Sequence, residues 1–163
     1  MMDLLSDIIS HQFGASIDMI ERAIDACPEA LWSDRTQNPE YWYVTFHTLF
    51  WLDLYIGGTV QGFTPPAPFS LDELDPAGII PSEPYSKQQL RDYLSHCRKK
   101  LRQSLESLTP EKAGERCMVE WIDASYSELL LYTMRHVQHH AGQLNLILRQ
   151  KTNSAPRWVR RST

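Results

Sequence analysis

A chain of 163 residues, 42% hydrophobic and 22% charged, has the composition of a soluble globular protein and the length for a real core, so residues 1–163 are expected to form a single domain. The formal charge is −4 and the one basic run, Arg98-Lys99-Lys100, is short, which argues against a phosphate-binding patch and a nucleic-acid partner. No apolar run approaches the ~20 residues of a membrane span, the N-terminus carries acids rather than a basic leader, and Cys27, Cys97 and Cys117 form no Cys-x-x-Cys pair; a reducing, cytoplasmic setting is expected.

Leu5, Ile9, Phe13, Ile17, Ile20 and Ile24 recur at helical spacing, which predicts a first helix over about residues 3–27, stopped by Pro28. Trp32 follows as a core anchor. A second helix is predicted over about residues 39–56, with Asn38 as N-cap, Pro39 at the first helical position and Gly57-Gly58 at the end. Residues 59–84 hold six prolines, which predicts a long loop without helix, either a crossover to the far end of a bundle, a lid over a site, or both. Ser86 and Gln89 form a capping box for a third helix, whose face of Leu90, Leu94, Cys97, Leu101, Leu105 and Leu108 places Cys97 in the core. After an irregular stretch with Trp121, a second capping box, Ser125 with Glu128, opens a fourth helix to about residue 150. A tail from about residue 152, with Pro156, Trp158 and Val159, can fold back on the helices. No strand pattern and no repeat is present, so the fold class is all-α, a four-helix bundle.

Three of the six histidines fall in Arg135-His136-Val137-Gln138-His139-His140. His136 and His140 stand one turn apart, about 40° around the axis, and form a bidentate metal clip. The same stripe carries Leu129, Tyr132, Thr133, Gln143, Leu144 and Ile147, so both rings are expected to face the bundle interior. Buried imidazoles need partners for a donor and an acceptor, and a metal satisfies one nitrogen of each. His47, among Tyr43, Val44, Phe50, Trp51 and Leu54, is the expected third ligand from another helix. His139, His11 and His96 are read as edge or surface residues. A zincin is excluded because Val137, not Glu, follows His136, and the chain has no Glu-x-x-His for a di-iron site and no haem-attachment motif.

His47-Thr48-Leu49-Phe50-Trp51 together with the segment from Arg135 to Leu144 resembles the DinB-like family of damage-inducible, stress-associated bacterial proteins, over essentially the whole chain. The resemblance implies a four-helix bundle of up-down-down-up topology, the proline-rich segment crossing between parallel second and third helices. It implies a three-histidine metal site on His47, His136 and His140, and a homodimer. It further implies, for some relatives, thiol-dependent transferase or isomerase activity with a small thiol.

Three neutral imidazoles leave one divalent ion, Zn or Ni first and Fe, Cu or Mn otherwise, with its full charge and an open position. A bound water would have its pKa lowered towards about 7 and a bound thiol would be deprotonated, which points to a metal-dependent hydrolase or thiol S-transferase. The alternative is a non-catalytic dimeric protein with a structural or vestigial metal site. Gln143, Tyr132 and Trp51 are placed to orient a ligand or wall a pocket for a small molecule. Asp53 points away from His47. Acids are nearly absent from the inward faces of the second and fourth helices, so no carboxylate base is expected near the ion.

Overall fold

The computed structural model describes residues 2–162, with side chains over residues 4–162. Six helices follow in order: α1 (Met2–Ala26), α2 (Glu29–Trp32), α3 (Tyr41–Gly57), α4 (Lys87–Glu106), α5 (Pro110–Gly114) and α6 (Tyr126–Thr152). The long ones, α1, α3, α4 and α6, pack in a ring in which α1 and α3 stand diagonally opposite. Among the described residues there is no strand, only isolated bridges such as Thr59 to Met118.

Cross-helix contacts fix the directions. Arg98 of α4 meets Asp18 and Glu21 of α1 at 2.6 and 2.9 Å, while Arg91 meets Asp25, so α1 and α4 are antiparallel. Cys97 lies against the Leu49 carbonyl and Lys100 against Asp53, so α3 and α4 are parallel. His47 faces His140, and the Tyr126 hydroxyl donates to the Ile56 carbonyl, so α6 runs against α3. The result is the expected up-down-down-up bundle, in which residues 59–84 must return the chain along the full length of α3.

The core is unusually aromatic. Phe13, Trp32, Tyr41, Trp42, Phe46, Phe50 and Tyr93 are each under 2% exposed, which removes enough apolar surface to stabilise by ~1.5–3 kcal/mol apiece. This core reaches out and pins the crossover. Phe69 stacks between Phe46 and Tyr93, at centroid distances of 5.8 and 4.3 Å, and Tyr85 packs on Phe46 while its carbonyl accepts from Trp32 Nε1 at 2.9 Å. Between these anchors the crossover makes one 3-10 turn, Asp72–Leu74, where no helix was expected.

One predicted cap is corrected. Helix α3 begins at Tyr41, not Pro39, with Glu40 rather than Asn38 at the N-cap; Glu40 is extended, its carbonyl accepts from Val44 N, and its carboxylate is held by Arg35 and Trp42 Nε1. At α6, Ser125 Oγ accepts from Glu128 N at 3.3 Å, so the Ser125 half of the box is made. The box at Ser86 and Gln89 is complete. Gly58 closes α3 at φ 72°, and a Cβ there would stand 3.2 Å from the Tyr126 ring, so the position needs glycine twice over. The tail does fold back: Val159 is buried, its N–H against Met19 Sδ, and Ser162 N donates to the His11 carbonyl.

Candidate metal centre

His47 lies mid-way along α3, and His136 and His140 lie on successive turns of the antiparallel α6. The three rings converge, with centroids 5.5 Å (His47 to His136), 4.9 Å (His47 to His140) and 4.4 Å (His136 to His140) apart. One ring nitrogen from each lies within 4.8 Å of the other two, a group that could hold a metal ion.

The depth of the site differs from expectation. The buried stripe of α6 runs through Leu130, Thr133, Val137, Ala141, Leu144 and Leu148. His136 and His140 stand beside that stripe and are half-buried, and Tyr132, expected inside, is 40% exposed. On α3, which is apolar almost all round, the least buried face is Tyr43, His47 and Trp51. The histidines thus sit where α3 and α6 meet solvent rather than in the centre of the bundle. The sequence reading erred by one helical position because α3 is so apolar that periodicity alone does not define its core side, and on α6 apolar residues flank the histidines on both sides. A surface hollow of ≈ 440 Å³, lined by Tyr132, Arg135, His136, Gln138 and His139, opens at His136. A larger hollow of ≈ 550 Å³ around Thr59 and Met118 contains none of the histidines.

The outward nitrogens are occupied in two of the three rings. His140 Nδ1 donates to Gln143 Oε1 at 2.6 Å, leaving Nε2 as a lone pair, and that Nε2 lies 3.0 Å from His136 Nε2. His47 Nδ1 donates to Glu73 Oε2 at 2.7 Å, so that in the neutral ring Nε2 carries the lone pair. Trp51 Nε1 donates to the same oxygen at 2.8 Å. His136 Nδ1 is buried without a hydrogen-bond partner. Of the residues expected to orient the site, Gln143 and Trp51 do touch it through His140 and Glu73; Tyr132 packs on Tyr55 at the rim.

Glu73 overturns the expectation of a site without a carboxylate. It comes from the crossover, where nothing in the residue pattern separates it from its neighbours Asp72 and Asp75. Burial raises its pKa, but the hydrogen bond and charge of His47, with the donors Tyr43 and Trp51, outweigh burial and hold it below the usual carboxylate value. Asp53 does point away from His47: it is buried against Lys100, Tyr93 and His96 on the α4 side.

Burial, and then the neighbouring imidazoles, push His136 down to about 3; burial pushes His140 down to about 4 against the opposing Gln143 bond. Both rings are neutral at pH 7, the state a metal needs. In the unfolded chain each titrates near ~6.5. The metal-free fold therefore keeps its full stability above that value and loses it as pH falls towards the folded values, because the unfolded state takes up protons that the folded one refuses. Urea midpoints of metal-free protein should fall between about pH 6.5 and 4. The double variant His136→Ala, His140→Ala should flatten that fall by up to two protons; an unchanged slope would refute the cause given.

Comparison with known proteins finds one family. The family model of the DinB superfamily matches residues 12–144, a span that takes in all three histidines and Glu73. Neither a curated protein nor a solved structure matches the chain at a significant level.

Proposed function

The chain belongs to the DinB superfamily, and from that premise we propose that His47, His136 and His140 hold one divalent metal ion through their Nε2 atoms, with a position left open to a small-molecule substrate. The observation that carries this reading is the 3.0 Å approach of His136 Nε2 to His140 Nε2. His140 Nε2 is a lone pair, since its Nδ1 hydrogen goes to Gln143. If His136 also presents a lone pair, the two repel, and in either tautomer its buried Nδ1 stays without a partner. A cation between the rings resolves the repulsion and is the ordinary partner of neutral imidazoles. Nitrogens around a tetrahedral ion with ~2.0–2.1 Å bonds stand about 3.4 Å apart, inside the span of this triad.

Zn or Ni is the first choice, with Fe, Cu and Mn behind, because three imidazoles accept all of them. When bound, such an ion supplies Lewis acidity that activates a water or a thiol at neutral pH. The chain's own residues do the rest. Gln143 holds His140 in one tautomer, Glu73 does so for His47, and Tyr132 and Arg135 border the approach at His136. A site with three protein ligands, beside rather than within the core stripe, favours a metal-dependent hydrolase or thiol S-transferase over a structural staple, which would be closed by four ligands. A cytoplasmic setting and a homodimer complete the proposal. No described helix is long and apolar enough to cross a membrane.

The test starts from full-length protein stripped and reloaded with Co²⁺. We expect about one ion per chain, a spectrum that changes on adding a low-molecular-weight thiol, and a fold that survives removal of the ion. Loss of the fold on chelation would instead establish the structural reading, and failure to retain any divalent ion would end the metal proposal.

A further inference from the structure

We propose that Glu73 is a positioning residue of this centre: its carboxylate fixes His47 as the Nδ1–H tautomer, so that Nε2 presents its lone pair to the ion. The proline-rich crossover is then a working part of the site and not only a connection. This rests on the reading that the triad holds a metal.

Three observations point the same way. First, the three rings are held unequally. His140 receives Gln143 from its own helix, three residues on, and His136 is set by packing alone. His47, the ligand that must be brought from the other helix, is held from outside by a residue 26 positions away. Second, the Glu73 side chain is only 3% exposed, and its Oε2 accepts from both His47 and Trp51, with the Tyr43 hydroxyl a further donor to the carboxylate. Burying a carboxylate is costly, and a loop needing only packing there would be served better by an apolar residue. Third, the turn that carries Glu73 lies between the two aromatic anchors of the crossover, Phe69 and Tyr85, which fix the loop against α3 and α4 without Glu73. The carboxylate is therefore not required to hold the loop down.

Its chemistry toward the site is specific. An acceptor on Nδ1–H excludes the tautomer that would cap Nε2 with hydrogen, and a negative acceptor raises the basicity of Nε2 as a ligand. Trp51 Nε1 keeps the accepting oxygen in place, which gives that aromatic residue a part in the site beyond its packing on Trp121 at 5.8 Å.

The experiment uses full-length wild type, Glu73→Ala and Glu73→Gln. Zn²⁺ dissociation constants are measured by competition with a chelator, and His47 ring protons by ¹H–¹⁵N NMR on metal-free protein. We expect wild type to show His47 as Nδ1–H. Glu73→Ala should weaken Zn²⁺ binding about 10–100-fold and lose that signature, while the near-isosteric Glu73→Gln, an acceptor without charge, weakens it roughly 3–10-fold and keeps the signature. An unaltered dissociation constant in either variant, or an Nε2–H tautomer in wild type, overturns the proposal for Glu73 while leaving the metal reading standing. A wild type that binds no Zn²⁺ overturns the metal reading itself. If Glu73→Ala does not fold, the Glu73→Gln comparison decides.

Discussion

Protein with His136→Ala should retain almost no metal after reconstitution and desalting, where wild type retains about one ion per chain. Removing one of three imidazoles takes away a direct ligand and leaves two that no longer form a clip. A rise in dissociation constant on the order of 10³-fold, about 4 kcal/mol, is expected. The fold should persist, because His136 stands beside the buried stripe of α6 and the packing on that turn is carried by Val137, which is fully buried. His140→Ala should behave alike. His139→Ala should not, because His139 is exposed and its ring only flanks His140, at a centroid distance of 5.0 Å. Elemental analysis and chelator competition read the metal, and thermal melting of the metal-free forms reads the fold. Full metal retention by His136→Ala would remove the assigned site. Loss of metal in His139→Ala to the same degree would mean that the clip uses a different pair.

How much of this was legible beforehand follows from what each feature depends on. The clip was legible because i and i+4 on a helix is a local relation that needs no tertiary knowledge. The bundle was legible because the apolar periods of α1 and α4 are clean, and the density of prolines in residues 59–84 leaves no room for a helix of useful length. The directions of the helices came through the resemblance, and the ion pairs Arg98 to Asp18 and Lys100 to Asp53 now give them independently. The burial of the histidines was misjudged because α3 is apolar almost all round, so periodicity assigns no unique inner face, and only the packing of α6 shows that Tyr43, His47 and Trp51 form its outer one. Glu73 was illegible for a different reason. Its place is set by Phe69 and Tyr85, which dock on residues of three other elements, and a loop position fixed by long-range packing leaves no local spacing to read. The same holds for Glu40, whose role as N-cap depends on Arg35 and Trp42 occupying its carboxylate.

Lys100→Met should be among the most destabilising changes on the side of α3 away from the histidines, and should leave metal binding intact. Asp53 sits in the C-terminal part of α3 at 1% exposure. Its Oδ1 lies 2.6 Å from Lys100 Nζ, and its Oδ2 accepts from the Tyr93 hydroxyl at 3.1 Å; Lys100 also donates to the Asp53 carbonyl at 2.7 Å. His96 Nε2 also lies 3.4 Å from Oδ1. Methionine keeps the aliphatic stem of Lys100 and removes the charge, which strands a buried carboxylate. Breaking such a pair from one side costs ~3–5 kcal/mol. Lys100 is 30% exposed on its side chain, so the lower end applies. At ~2–4 °C per kcal/mol for a chain of this size, about 3 kcal/mol lowers Tm by about 6–12 °C. The double variant Asp53→Asn, Lys100→Met should recover a large part of this, because the amide remains an acceptor for Tyr93 and no charge is left behind; the two changes are in contact and should not add. A double variant as unstable as the sum of its singles would show that the loss comes from packing instead of from the stranded charge. Because Asp53 faces α4 and His47 faces α6, the metal content of all three variants should stay near one ion per chain, and the pair thereby separates the stability of the bundle from the occupancy of its histidine site.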